Sequence, residues 1–191
     1  MKTTAIALAA LLATPAWAGT VTLTPAEPQP TDVSPGLAVT YAYPKKVKTL
    51  AAATAALKEE NAEVAVEEGD PLIGLSYLDT EPGEMVMTSK KEFKVAAAIS
   101  GFIKFDEAGT FKVEVISNDG IDLSIGGQQV GLFDETHGCE SAGVTTVEVP
   151  SPGWYVLEAT YFQSKGTSCL LMDWDLGSGE MEPVPDEAFG H

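Results

Sequence analysis

Apolar and polar positions alternate with period two along most of the second half of the chain. Phe111, Val113 and Val115 alternate with Thr110, Lys112 and Glu114, the signature of a half-buried strand. The same pattern recurs over Lys94–Phe105, Ile121–Ile125, Val130–Phe133, Gly143–Val149, Trp154–Tyr161 and Cys169–Asp175. Turn residues separate these runs. Asp106–Gly109 predicts a tight turn with Gly109 as its φ > 0 residue, and Gly101 reads as a bulge or bend. Ser117-Asn118-Asp119-Gly120 and Gly126-Gly127 read as further turns, and Phe162–Ser168 as a loop. Phe102 to Phe111 is therefore expected to be a hairpin, as are the last two strands. Short strands at regular spacing with Gly and Pro turns indicate a sandwich or barrel.

The first half is less regular. Gly19–Pro35 carries Pro25, Pro28, Pro30 and Pro35 and reads as an extended lead-in with a short edge strand at Val21–Leu23. A strand over Gly36–Tyr43 ends at Pro44. From Lys46 to about Asn61, Val47, Leu50, Ala51, Thr54 and Leu57 form one stripe at helical spacing. Its lysines lie at the start and Glu59-Glu60 at the end, against the macrodipole, so a short surface-packed helix is expected. Glu63–Glu67 and Pro71–Leu78 are further strand candidates, and Gly177–His191 reads as an acidic tail, loose or lying on the surface. The predicted class is all-β, an antiparallel β-sandwich over residues 36–176 with one short surface helix.

Charge narrows the partners. The chain has 28 acidic and 11 basic residues, net −17, and every basic residue is Lys. Nucleic acid, phosphate ligands and anionic membranes need clustered Arg or Lys. Cations, neutral polyols or another exported protein suit this surface better. Residues 1–18 read as a Sec-type signal peptide, with a basic start, an apolar run from Ala5 to Leu12 and cleavage after Ala18. The run is too short to span a bilayer, which gives a periplasmic or secreted address. In an oxidising compartment Cys139 and Cys169 are expected to pair as a disulfide rather than serve as a metal site or catalytic thiol.

Gly101-Phe-Ile-Lys-Phe-Asp-Glu-Ala-Gly-Thr-Phe111, Ser117-Asn-Asp-Gly-Ile-Asp-Leu-Ser-Ile-Gly-Gly-Gln128 and Gly153-Trp-Tyr-Val-Leu-Glu-Ala-Thr-Tyr-Phe162, with Leu170-Leu-Met-Asp-Trp174, resemble the protective antigen fourteen-kilodalton domain family. This is a β-sandwich module of toxins, glycosidases and flocculin-type adhesins. In its lectin members two adjacent acidic residues at the central turn hold Ca²⁺, which bridges to sugar hydroxyls with help from a later loop. The resemblance assigns metal-ligand roles to Asn118, Asp119 and Gln163, and ligand contact to Ser164, Lys165 and Gly166. Asp122 and Asp134 are additional candidate ligands. Asn118 stands where Asp is usual, so the site would carry one negative charge fewer; an amide oxygen still ligates Ca²⁺. The same Asn-Asp-Gly residues are also those that turns favour on their own. Trp154, Tyr155, Tyr161 and Phe162 are candidates for a sugar-stacking ring, with two of them core by alternation.

The expected function is an exported, non-catalytic binding module for a glycan or polyol, with Ca²⁺ as the expected cofactor. The alternative is a structural or adhesion module that docks another protein. Catalysis is not expected: no nucleophile motif occurs, and neither His137 nor His191 sits in a triad or metal motif.

Overall fold

The alternating segments fold as strands of two facing sheets. The computed structural model describes residues 19–58 and 64–191. The expected signal peptide and the end of the expected helix, residues 59–61, lie outside these. In chain order the elements are β1 (Val21–Thr22), β2 (Ala38–Ala42), α1 (Leu50–Leu57), β3 (Val66–Glu68) and β4 (Ser76–Tyr77). The long strands follow: β5 (Val95–Phe105), β6 (Gly109–Asn118), β7 (Ile121–Ile125), β8 (Gln128–Phe133), β9 (Glu140–Val149), β10 (Gly153–Gln163) and β11 (Cys169–Asp175). Two short strands, β12 (Glu182–Pro183) and β13 (Phe189–Gly190), close the chain.

One sheet runs β1-β9-β6-β11-β12, with β4 also beside β11; the other runs β3-β2-β5-β10-β7-β8, with β13 beside β5. All neighbours are antiparallel except β1 and β9. The predicted sandwich is thus present, but the expected hairpins are not. β5 and β6 lie in different sheets, as do β6 and β7, β9 and β10, and β10 and β11. The turns between them are arches that carry the chain across the core. Only β7 and β8, joined through Gly126-Gly127, pair as a hairpin among these long strands. Period-two alternation fits either connection, because each leaves one strand face buried.

Between the sheets lie Ile99, Ile103, Phe105, Val113, Val115, Leu123, Leu157, Tyr155 and Met172, all almost fully buried. Burying each aliphatic or aromatic side chain of this kind stabilises by about 1.5–3 kcal/mol. The other face of the second sheet carries a smaller core. Tyr41, Ala97 and Tyr161 point inward, so their neighbours Ala42, Ala96 and Phe162 point outward. There they meet Val47, Leu50, Ala53 and Ala56 of the helical segment. The buried helix face therefore differs from the expected stripe: Ala51 and Thr54 are exposed and Ala53 and Ala56 buried. An alanine-rich helix has little hydrophobic contrast around its circumference, and its smallest face lets it approach the sheet. Thr49 caps the helix by accepting from Ala52 N, and Asp134 of the β8–β9 loop accepts from Leu50 N.

Three more expectations are corrected. Gly109 does not have a positive φ; it makes room for the Phe111 ring, whose Cζ lies 2.7 Å from where a Cβ would be. Gly101 is no bulge, since β5–β10 pairing runs through it without a register shift. A Cβ there would come within 2.4 Å of the Gly190 carbonyl, so the glycine admits β13. The acidic C-terminal stretch is not loose either. Val184, Ala188 and Phe189 are buried, and β12 and β13 each join a sheet. The short edge strand expected in the lead-in is present as β1, and Leu23 beyond it is buried.

Candidate functional site

Four connections meet at one end of the sandwich. β6 ends at Asn118, which lies in register with Cys169 at the start of β11. β10 ends at Gln163, and β7 begins at Ile121, opposite Phe133 and Tyr161. The β8–β9 loop is tied here by a disulfide between Cys139 and Cys169, as expected from the sequence. Thr80, beyond β4, joins through reciprocal bonds with Ser168: its N–H donates to the Ser168 carbonyl at 3.0 Å, and its Oγ1 accepts from Ser168 N at 2.8 Å.

Asp119 sits at the centre and is only 3 % exposed. Its Oδ1 accepts from His137 N at 3.0 Å and its Oδ2 from Ser164 N at 2.6 Å. One carboxylate thereby holds the loops after β8 and β10. Burial pushes its pKa above the usual carboxylate range, and the two backbone N–H groups pull partly back. The turn itself is fixed from both sides. Asp119 N donates to the Phe162 carbonyl, Ser117 Oγ donates to the Asp119 carbonyl, and the buried Tyr161 hydroxyl donates to the Asn118 carbonyl. The Asn118–Asp119 peptide is cis. Gly120 is needed because a Cβ would lie 2.2 Å from the Phe162 ring.

The neighbouring amides are arranged around the same point. Asn118 Nδ2 donates to Thr167 Oγ1 at 3.0 Å. Gln163 is fully buried, and its Nε2 donates to the Thr167 and Gly166 carbonyls at 2.9 and 3.4 Å. Those two carbonyls fix the amide's orientation, which leaves Gln163 Oε1 buried with no partner among the described residues. His137 Nδ1 lies 2.6 Å from the Gly138 carbonyl. In the neutral ring Nδ1 therefore carries the proton, and Nε2 is a second buried acceptor without a donor among the described residues. Its ring stacks on Phe133. These two acceptors belong to His137, whose backbone N–H binds Asp119, and to Gln163, which adjoins Ser164, and they leave this end short of donors or cations among the described residues.

Asn118, Asp119 and Gln163 thus come together with Ser164, whose N–H serves Asp119. Lys165 and Gly166 are exposed at the loop tip. Asp122 and Asp134 do not join them: Asp122 accepts from Gln129, and Asp134 holds the helix start. The aromatic candidates are also placed elsewhere. Tyr155, Tyr161 and Phe162 are fully buried. Trp154 packs edge-on to Phe102 at the opposite end of β10. His137 and Thr167 escaped sequence reasoning. The clue was the Cys139–Cys169 pairing, which brings the residues before Cys139 beside Asn118. A second cluster, Asp79 with Cys139 and Cys169, is not a metal centre because both sulfurs are in the disulfide.

The architecture has close counterparts among solved structures. The PA14 domain of the MpAFP antifreeze protein superposes with a TM-score of 0.64 at 14 % identity, over 84 % of this chain and 93 % of that one. This chain has the protective antigen fourteen-kilodalton, or PA14, fold. A PA14 sugar-binding domain from an RTX adhesin aligns at TM-score 0.59 and 14 % identity, covering 83 % of this chain and 99 % of the other. The epithelial adhesin 6 A domain from Candida glabrata, solved in complex with Galβ1-3GlcNAc, aligns at 0.65 with 10 % identity, over 90 % and 93 %. No protein-family model and no curated protein sequence matches the chain. The PA14 likeness therefore rests on three-dimensional structure, in agreement with the motifs read from the sequence. Among the described residues no helix is long and apolar enough to cross a membrane.

Proposed function

We propose that this PA14-fold chain is an exported, non-catalytic carbohydrate-binding module whose ligand end is the Asp119–Gln163 cluster, with Ca²⁺ as the bridging ion. The observation that carries the reading is the buried Gln163 Oε1, which has no partner among the described residues and belongs to the residue next to Ser164, whose N–H binds the Asp119 carboxylate. It is supported by similarity to a PA14 sugar-binding domain and to an adhesin domain solved with a disaccharide. The donor chemistry fits a hard cation: one carboxylate, the Asn118 and Gln163 amide oxygens and loop carbonyls are all oxygen ligands. Each carboxylate oxygen has a lone pair beyond the one given to a backbone N–H. The ion would supply coordination positions for sugar hydroxyls, while this chain's residues hold the two loops in register and exclude water from Asp119. With a single formal charge, the site belongs with the weak extracellular calcium modules, whose dissociation constants are about 10⁻⁴–10⁻³ M.

The test is a thermal melt with the mature chain, alongside a glycan array read in calcium and in chelator. Calcium at tenfold its dissociation constant should add about 1.4 kcal/mol of stability, lost in Asp119→Asn. An unchanged melting temperature together with a blank array would sink the reading and leave the alternative, a protein-docking module.

A further inference from the structure

The chain is strongly acidic, yet its lysines are not scattered. Six of the 11, Lys45, Lys46, Lys48, Lys90, Lys91 and Lys94, fall in two short stretches. The second stretch lines a cleft of about 450 Å³ with Tyr43, Pro44 and Met85, and the first follows Pro44 in sequence. Its apolar wall is open to solvent: Phe93 is 45 % and Met85 48 % exposed. The segment carrying Lys90 and Lys94 is held there by specific bonds. The Tyr41 hydroxyl accepts from Thr88 N and the Tyr43 hydroxyl from Lys90 N, both at 3.2 Å. Lys90 Nζ is committed to Glu67 at 2.7 Å. Lys94 lies over the Phe93 ring at 5.4 Å, and Lys91 makes no ion pair among the described residues. Met87 and Lys94, the two non-glycine residues with positive φ among those described, both belong to this segment. That conformation is uncommon for side-chain-bearing residues.

The cleft shares its end of the sandwich with Asp119. Lys94 precedes Val95, and Val95 is in register with Gln163 on the neighbouring strand. Strand spacing and rise put the Lys94 and Gln163 backbones within about 10 Å of each other. We propose that the cleft is a cationic, carboxylate-binding subsite of the carbohydrate site, and that the favoured ligand is an acidic oligosaccharide whose uronic-acid carboxylates meet Lys91 and Lys94 while a ring face lies on Phe93 and Pro44. This rests on the carbohydrate-binding reading above. Lysines without arginine give point charges rather than the bidentate fork that suits phosphate. Glu92, inside the same wall, disfavours a dense polyanion. Screening over about 8 Å at physiological ionic strength keeps the local positive field from being cancelled by the acidic remainder.

The experiment is calorimetric titration of the mature chain with an oligogalacturonate and with its carboxyl-reduced neutral counterpart. The acidic sugar should bind about tenfold more tightly, within what two exposed charge pairs supply. The double variant Lys91→Gln with Lys94→Gln should erase that preference and leave the neutral affinity unchanged. Equal binding of the two sugars overturns the proposal, as does a preference that persists in the double variant. Full competition by poly-glutamate overturns it in favour of a protein-docking surface. If neither sugar binds while the array shows other calcium-dependent glycans, the subsite falls and the carbohydrate reading stands; a blank array removes both.

Discussion

Asp119 is more than a turn residue. A bare Asn-Asp-Gly turn needs no buried carboxylate, whereas here both oxygens accept backbone N–H groups from loops 18 and 45 residues away in sequence. The turn's residue types were legible in the chain, but these partners were not, because they come from loops that the arches and the disulfide bring together. Tyr161 tests the arrangement without touching a candidate ligand side chain. Tyr161→Phe removes the donor to the Asn118 carbonyl and should destabilise by about 1–3 kcal/mol in denaturant titrations. The phenols also set an alkaline limit. Burial raises the pKa of Tyr41 to about 12 and holds that of Tyr161 well above the ordinary tyrosine value. A raised folded-state pKa contributes stability below the ordinary tyrosine value of about 10, lost as pH climbs through the folded one. Spectrophotometric titration should show these two of the five tyrosines ionising only as the fold is lost.

At the scale of elements, strand positions were readable and strand partners were not. The segment Cys169–Asp175 is a strand with the expected limits, because alternation reports one buried face. Whether a turn folds a strand back beside its neighbour or over the core depends on contacts far away in sequence. The C-terminal segment shows the same limit. Its acidity and prolines suggested a loose end, yet a few apolar residues, Val184, Ala188 and Phe189, suffice to seat it. Gly101 makes that seat. Gly101→Ala should push on the Gly190 carbonyl and Leu37 at a cost of about 1–3 kcal/mol. Hydrogen exchange should then show reduced protection at the His191 amide, which donates to the Ser34 carbonyl, while the central strands stay protected.

For the whole molecule, the sandwich and the disulfide followed from composition and pattern, and the motif order pointed to the PA14 fold. The disulfide closes a sequence separation of 30 residues. Reducing it should lower stability by about 3–4 kcal/mol in the loop-entropy model and free the His137 loop from Asn118. Calcium-dependent stabilisation should weaken with it, which paired melts under reducing and oxidising conditions would reveal. The lysine cleft was not legible, since its wall joins Tyr43 and Pro44 to a loop some 50 residues later.

The most direct measurement is a crystal structure of the mature chain grown with calcium and soaked with an oligosaccharide that the array selects. The expected result is an ion about 2.3–2.6 Å from an Asp119 carboxylate oxygen and from the Asn118 or Gln163 amide oxygen, with sugar hydroxyls completing its shell. An ion-free Asp119 still bonded only to His137 and Ser164, with the sugar absent from this end, would contradict it.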